Sequence, residues 1–226
     1  HPGNIGACAR AIKNMGFNKL GLLNPLNFPS DEAFYRAKGA GDLLDSAKIY
    51  SSLDEALSEK TLVLGTSARD RTIPWPSVFT NNIDKDISNL DNKNKISILF
   101  GREKSGLTNE ELQRCHMHIK IPSSEDYTSL NLSHAVQIIS YELRNALLKN
   151  QKNEIKSDVP LSTDKDDEFL LKHVDEVLLG LDFYDQNSSR QVKARLKRLL
   201  KKARPDKLEV GILRGFLSKI QELLNK

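Results

Sequence analysis

The sequence has few of the residues that cross-link a chain or hold a metal ion. Its 226 residues include two cysteines, one tryptophan and two methionines. Two cysteines are too few for a disulfide framework, which fits a reducing compartment. Cys115-His116-x-His118 groups three possible ligands, but it lacks zinc-site spacing and a matching second pair, so we expect no metal.

Long apolar runs are also missing. No segment approaches the roughly 18–20 consecutive apolar residues that a membrane-spanning helix needs. No signal peptide precedes the first apolar segments, and the 38% hydrophobic and 28% charged residues are an ordinary globular balance. We therefore expect a soluble cytoplasmic protein without a membrane partner.

Two common nucleotide-binding signatures are absent. Residues 100–108 superficially resemble a phosphate-binding loop, but the Gly-x-x-x-x-Gly-Lys-Ser/Thr spacing is missing, which excludes a P-loop NTPase. No Gly-x-Gly-x-x-Gly turn opens a helix after a strand, which argues against a nucleotide-dependent oxidoreductase.

Charge is spread unevenly along the chain. The formal net charge is +4, yet residues 151–185 carry 4 Lys and Arg against 10 Asp and Glu. Residues 186–226 carry 12 Lys and Arg against 3 Asp and Glu. An acidic segment is thus followed by a basic tail. We interpret a tail of that charge as a surface that binds a polyanion rather than as a helix face that is only solvated.

The first 150 residues alternate apolar runs with amphipathic segments. We predict strands over 20–23, 61–64, 96–100 and 117–121, and helices over 5–15, 32–37, 53–57, 109–114 and 130–149. This alternation predicts an α/β fold with a mostly parallel sheet and helices on both faces.

The remaining sequence divides into a linker and a small helical domain. Residues 151–165 are polar and lack a hydrophobic period, so we predict a linker between a domain over 1–150 and one over 166–226. Within the second domain we predict three helices, over 168–181, 189–203 and 208–224. In the second of these helices, Val192, Leu196, Leu199, Leu200 and Ala203 follow helical spacing and should form the packed face.

Four polar loop segments lie beside predicted strand ends or helix starts, where parallel sheets bind ligands. The first is Asn4-x-Gly6-x-x-x-Arg10 at the start of a predicted helix. Its free N–H groups could bind an anion, or the segment could be no more than a helix cap and a surface arginine. The others are Gly65-Thr66-Ser67-Ala68-Arg69, residues 100–108 and residues 121–133. In the last, Ser129 or Asn131 could simply cap the helix that follows.

These segments resemble the motifs of the SpoU class of the SPOUT methyltransferases. The first is similar to the family's first motif; the second and third motifs are matched by Leu99-Phe100-Gly101-Arg102-Glu103-x-x-Gly106-Leu107 and by Ile121-Pro122 through Ser129-Leu130-Asn131-Leu132-Ser133-x-Ala135. The chain further resembles TrmJ-type tRNA cytidine/uridine-2′-O-methyltransferases at Gly65-Thr66-Ser67-Ala68-Arg69, Pro74-Trp75-Pro76, Ala203-Arg204-Pro205 and Ile212-Leu213-Arg214-Gly215. The resemblance covers nearly the whole chain.

The resemblance implies a C-terminal trefoil knot in the α/β domain that binds S-adenosylmethionine in a bent shape. The positions that match the family's cofactor site are Thr66, Ser67, Ala68, Gly101, Ile121, Thr128, Ser129 and Leu130. Backbone amides and apolar walls, which glycine-rich and Ile/Leu-lined loops provide, suit a neutral adenosine.

The resemblance also implies methylation of a ribose 2′-hydroxyl of tRNA, at a cytidine or uridine at the start of the anticodon loop. Arg10 matches the family's proposed base, although an arginine is essentially always protonated and orients phosphate and ribose more readily. The other matching functional polar positions are Asn4, Glu103, Ser129 and Asn131. The alternative is a non-catalytic RNA-binding protein with a SPOUT-like fold, which loss of Arg10 or of the third motif would have favoured.

The family works as a homodimer in which Arg10 would face the cofactor of the other subunit. The family has a strand before its first motif, and because the given sequence opens on His1-Pro2-Gly3-Asn4, we expect that strand to lie outside these residues. The basic tail predicts a tRNA-binding surface made of Arg190, Lys193, Arg195, Lys197, Arg198, Lys201 and Lys202.

Overall fold

The fold alternates strands and helices, followed by three long helices. The structure is a computed structural model that describes residues 1–67, 74–87, 94–124, 126, 128–150, 159–184 and 190–224. Its strands are β1 (Gly21–Leu23), β2 (Lys48–Tyr50), β3 (Leu62–Thr66), β4 (Ser77–Phe79), β5 (Ile96–Leu99) and β6 (Met117–Lys120). Its helices are α1 (Pro2–Asn14), α2 (Asp31–Ala37), α3 (Gly41–Asp45), α4 (Leu53–Leu57), α5 (Asp84–Ile87), α6 (Asn109–Gln113), α7 (Leu132–Asn150), α8 (Asp164–Gly180), α9 (Arg190–Ala203) and α10 (Lys207–Leu224).

The strands form two parallel sheets. The smaller pairs β1 with β2, and the larger has the order β4-β6-β3-β5. β3 lies between β5 and β6 in the larger sheet, and its residues Leu62, Val63 and Leu64 are fully buried. Leu62 and Leu64 pack with residues of α5 and α7, while Val63 packs with Leu57 of α4 on the opposite face. The predicted mostly parallel sheet with helices on both faces is therefore confirmed.

All four predicted strands and the five predicted helices of the first 150 residues are present, with ends shifted by up to three residues. β2 and β4 were not predicted, since each has only three residues and lacks a continuous apolar run. The predicted helix over 168–181 begins four residues earlier, at Asp164, where Thr163 caps it. Within the described residues, no helix combines the length and the apolar character that crossing a membrane requires.

The glycine of the first motif serves helix packing. α1 begins at Pro2, so Gly6 lies in its second turn, and a Cβ there would come 2.0 Å from the carbonyl oxygen of Ala33 in α2. The N–H groups of Asn4 and Ile5 already donate to the carbonyl oxygen of His1. The interpretation of this segment as a helix N-terminus that binds an anion is therefore wrong.

The last three helices are joined to the α/β part of the chain by buried charges. Lys201 of α9 is fully buried, and its Nζ donates to Asp164 at 2.9 Å and to Asp167 at 3.0 Å. Arg114, directly after α6, pairs with Asp164 and with Asp54 of α4. The Nε2 of the buried His116 lies 3.6 Å from Asp167. We call Lys201, Asp164, Asp167, Arg114 and His116 the buried charge cluster, with the exposed Asp54 at its edge.

The pKa values within this cluster follow from its geometry. Burial alone would lower the pKa of Lys201, but the carboxylates of Asp167 and Asp164 outweigh burial and raise it above its ordinary value. Burial lowers the pKa of His116, whose Nδ1 accepts a hydrogen bond from the N–H of Val63. The lysine therefore stays charged and the histidine neutral between the two parts of the chain.

This packing corrects two predictions about α9. Lys201 cannot contact RNA, because none of its surface is exposed and two aspartates hold its ammonium. The packed face was also misplaced: Leu199 is 64% exposed and Ala203 is exposed, while Ala194 and Lys201 are buried. The helix turns this partly basic face inward because α8 opposes it with acidic side chains.

Cys115, His116 and His118, for which the sequence analysis expected no metal, lie in the interior. Cys115 is fully buried, with its Sγ 2.5 Å from where a Cβ on Gly65 would lie. His118 stacks on Trp75, whose Nε1 donates to the carbonyl oxygen of Cys115 at 2.8 Å. Among the described residues, no cluster of three His, Cys, Asp or Glu side chains is placed to hold a metal ion.

Lys201→Met should lower the free energy of unfolding by roughly 3–5 kcal/mol, because it leaves Asp167 buried without its cationic partner. Lys202→Met is the matched control: it removes the same charge from an exposed neighbouring position and should change stability by about 0.5 kcal/mol or less. Urea unfolding of both variants measures the difference. Equal stabilities of the two variants would contradict a stabilising role for the buried lysine.

Candidate cofactor-binding site

A cavity of about 200 Å³ lies where β3, β5 and β6 end. These strands are neighbours, with Gly65 of β3 opposite Leu99 of β5, and Thr66 opposite Ile119 of β6. The segments that follow them therefore meet at one edge of the sheet. Thr66 and Ser67 line the first side of the cavity, residues 100–107 the second, and Ile121 with residues 128–130 the third.

The structure brings seven of the eight predicted cofactor positions to this single cavity. They are Thr66, Ser67, Gly101, Ile121, Thr128, Ser129 and Leu130. The eighth, Ala68, lies outside the described residues. Ile119, Leu132 and Ala135 also line the cavity and were not predicted. Ile119 could have been found from the alternation of side chains along β6, and the other two from the third motif, which contains them.

The loop after β5 folds back on itself. Arg102 and Gly106 exchange backbone hydrogen bonds of 3.2 and 2.8 Å, and Gly106 has a φ of +68°, which favours glycine. A Cβ on Gly101 would lie 2.0 Å from the carbonyl carbon of Gly106. Gly101 is therefore required by the loop's own backbone, apart from any ligand.

A bidentate ion pair fixes this loop to α6. Arg102 donates from Nη1 and Nη2 to the two carboxylate oxygens of Glu111, at 3.0 and 2.9 Å. The same carboxylate accepts from the N–H of Thr108, completing the capping box of α6. The hydrogen bond from Arg102 has the largest effect on the pKa of Glu111, and together with the bond from Thr108 it lowers that pKa despite the partial burial of the carboxylate. Arg102 thus holds the loop in shape, while the predicted catalytic residue Glu103 lies exposed beside it on the cavity wall.

The segment before α7 is exposed, and its last residue caps the helix. Oδ1 of Asn131 accepts hydrogen bonds from the N–H of Ser133 at 2.9 Å and from its hydroxyl at 2.8 Å. Of the two candidate caps, Asn131 is therefore the one that caps α7. Thr128, Ser129 and Leu130 precede the helix with exposed side chains.

The predicted catalytic residues are divided between two places. Glu103 and Ser129 line the cavity, and Asn131 is the next residue in the sequence after the cavity residue Leu130. Arg10 is exposed on α1, and neither Arg10 nor Asn4 lines the cavity. α1 instead packs against α2 on one side and, through Cys8 and Ala11, against Val136 of α7 on the other.

The comparisons with known proteins cover both parts of the chain. The SpoU rRNA Methylase family matches residues 1–141, and the C-terminal domain of tRNA methyltransferase TrmJ matches residues 165–226. The tRNA (cytidine/uridine/adenosine-2′-O-)-methyltransferase TrmJ of Pseudomonas aeruginosa is 42% identical over 99% of this chain and 91% of its own length. The tRNA (cytidine/uridine-2′-O-)-methyltransferase TrmJ of Salmonella typhimurium is 43% identical over 98% of this chain and 93% of its own.

The fold has a close counterpart among solved structures. The crystal structure of TrmJ from Z. mobilis superposes with a TM-score of 0.83 and 26% identity, covering 98% of this chain and 95% of that one. The match includes the α/β part with its cavity and the three helices that follow. With a family match over residues 1–141 and relatives more than 40% identical over nearly its whole length, the chain belongs to the SpoU methylase family.

Proposed function

We propose that this protein transfers a methyl group from S-adenosylmethionine to a ribose 2′-hydroxyl of tRNA. The observation that carries the proposal is the single cavity that gathers segments from the ends of β3, β5 and β6. The two methyltransferases compared above, which are named for 2′-O-methylation of tRNA, match the chain over nearly its whole length. As in the sequence analysis, we propose a cytidine or uridine at the start of the anticodon loop as the target.

The cavity's chemistry fits S-adenosylmethionine. Ile121 and Leu130 supply apolar walls for an adenine ring, while the hydroxyls of Thr66, Ser67 and Thr128 can bond the ribose and the base edge. The volume of about 200 Å³ is below the roughly 300–1,000 Å³ of sites that enclose a drug-sized ligand. The ligand would therefore extend toward solvent, where its methyl group can meet a second substrate. We propose that the trefoil knot, formed by the second and third motifs, holds this site together.

When bound, S-adenosylmethionine supplies an electrophilic methyl group on its sulfonium, and a ribose oxygen attacks it in line. The ribose oxygen would gain the methyl group, S-adenosylhomocysteine would leave, and the hydroxyl proton would pass to water. The protein's contribution is alignment and electrostatics. Arg10 is a guanidinium that stays protonated, so we assign it to holding the phosphate and ribose rather than to accepting the proton.

We propose that the active unit is a homodimer with composite sites. Support comes from the division of the predicted catalytic residues, since Arg10 and Asn4 do not line the cavity of their own chain. A second subunit that presents Arg10 to the cavity would bring it to Glu103 and Ser129. The proposed active site is then complete only across the interface.

We propose that α9 binds tRNA through its remaining cations. Arg190, Arg195 and Lys202 are exposed, whereas Lys193 and Lys197 also form ion pairs with Asp175 and Glu168. Arg198 donates to the carbonyl oxygen of Pro74, beside the α/β part of the chain. Hydrogen bonds from its own N–H and from the Thr108 side chain lower the pKa of Glu110 in α6, and the positive charge of Arg190 adds a smaller effect, so the surface runs close to α6. Binding of tRNA, together with two free cysteines, fits a cytoplasmic protein.

Gly101→Ala should weaken S-adenosylmethionine binding about tenfold or more, because the new Cβ forces the loop away from Gly106. Gly39→Ala is the matched control, since its Cβ would meet no atom within 4 Å. Isothermal titration calorimetry of both variants gives the affinities. Unchanged binding by Gly101→Ala would show that the loop does not form the cofactor site.

Arg10→Ala should lower methyl transfer to tRNA by about a hundredfold or more, the scale of a positioned electrostatic group. Arg10→Lys keeps the charge but loses the planar fork, so it should also be poor. Because Arg10 is exposed and lies outside the cavity, the melting temperature and S-adenosylmethionine affinity should hardly change. Transfer of a labelled methyl group to tRNA measures the effect.

Mixed dimers test the cross-subunit assignment. Leu130→Arg fills the cavity wall without the backbone clash of a Gly101 variant, so we expect it to block the cofactor site. A dimer of one Arg10→Ala subunit and one Leu130→Arg subunit should retain one intact composite site. If that dimer is inactive while both parents bind tRNA normally, Arg10 does not act across the interface.

A further inference from the structure

The solvent face of α2 carries an aromatic ring with a lysine over it. Tyr35 is 70% exposed, and the Nζ of Lys38 lies 4.5 Å from the centre of its ring. The neighbouring Phe34 packs with the alanine-rich cluster between α1 and α2, so the opposite face anchors the helix. One face of the Tyr35 ring is covered by the ammonium group, and the rest is left for a partner.

The backbone of Lys38 is in a strained conformation. Its φ of 52° and ψ of −120° lie in a region that favours glycine, although Lys38 carries a full side chain. The following turn, Lys38–Ala40, is held in place by Lys13, whose Nζ donates to the carbonyl oxygen of Gly39 at 2.9 Å. Strain kept at an exposed position is a sign of a functional constraint.

The ring lies near the proposed catalytic arginine. α1 and α2 run side by side, with Gly6 against Ala33 and Lys13 bonded to Gly39. Arg10 lies on α1 between these two contacts, Tyr35 lies on α2 between the same two, and Lys38 follows directly after α2. Arg10 and Tyr35 are therefore at a similar level along the helix pair.

Two further cations accompany Lys38: Arg36, next to Tyr35 in the sequence, and Arg10 on the neighbouring helix α1. Arg10, Arg36 and Lys38 form no ion pair with any residue that the structure describes, whereas Lys13 nearby is paired with Asp42 at 2.6 Å. Arg36 and Lys38 are exposed and flank Tyr35 in the sequence. An aromatic ring among free cations matches the π-face and phosphates of single-stranded nucleic acid.

We propose that Tyr35, Arg36 and Lys38, which we call the α2 platform, bind an unpaired stretch of the substrate RNA beside the nucleotide that Arg10 positions. This inference rests on the proposed function. A nucleobase stacks on the open face of Tyr35, and Arg36 and Lys38 contact the flanking phosphates. Duplex RNA cannot occupy the platform in this way, since its bases are already stacked, so the platform selects a loop.

Equilibrium binding of tRNA at several salt concentrations tests the α2 platform. Tyr35→Ala should weaken binding about tenfold without changing the salt dependence, because stacking releases no counterions. Tyr35→Phe keeps the ring and should bind within roughly twofold of the wild type. Arg36→Ala should lower the slope of log K against log salt by about one, as expected for one lost phosphate contact.

Phe169→Ala is the matched control, because Phe169 is 51% exposed and has the Nζ of Lys165 5.7 Å from its ring centre, but lies on α8. It should bind tRNA like the wild type. Unchanged binding by Tyr35→Ala, or an equal loss in Phe169→Ala, would overturn the α2 platform. Methyl-transfer assays separate the two proposals. If the wild type transfers no methyl group to tRNA, the proposed function is overturned. If the wild type does transfer it and Tyr35→Ala has an unaltered KM for tRNA, the α2 platform alone is overturned.

Discussion

The buried ammonium of Lys201 is the interaction on which the arrangement of this chain depends. It lies between Asp164 and Asp167 with no exposed surface, and Asp164 also pairs with Arg114 at the end of α6. Buried charges are costly unless they are paired, so each partner requires the others in place. The three C-terminal helices are therefore docked on the α/β part of the chain rather than tethered to it as an independent unit.

α6 connects this buried charge cluster to the cofactor cavity. Thr108 caps the first turn of α6. Glu111 in that turn binds Arg102 of the cavity loop. Arg114 follows the last turn and pairs with Asp164. The helix has only five residues, so Glu111 at the cavity loop and Arg114 at the docking contacts lie within about one turn of each other. The proposed tRNA-binding surface of α9 and the proposed cofactor site thus share one short rigid element, which fits an enzyme that must align two substrates.

The sequence was most informative where local chemistry decides the structure. The apolar run of residues 61–64 predicted β3, because the burial of a central strand is written in its own few residues. β2 and β4 were missed because three-residue strands are specified by their neighbours in the sheet. Lys201 was misread as an RNA contact, since a lysine in a basic run becomes buried only when acidic residues thirty-four and thirty-seven positions away fold against it. Gly6 and Gly101 were noticed through their motifs, but only the fold shows that the backbones of Ala33 and Gly106 require them.

Methyl transfer to a tRNA ribose can be tested by mass spectrometry of tRNA nucleosides. Unmodified tRNA is incubated with the full chain and S-adenosylmethionine, digested to nucleosides and compared with a sample that lacks the cofactor. We expect a new 2′-O-methylated cytidine or uridine that maps to the start of the anticodon loop. A methyl group on a base, or no new methylated nucleoside from an enzyme that binds both substrates, would contradict it.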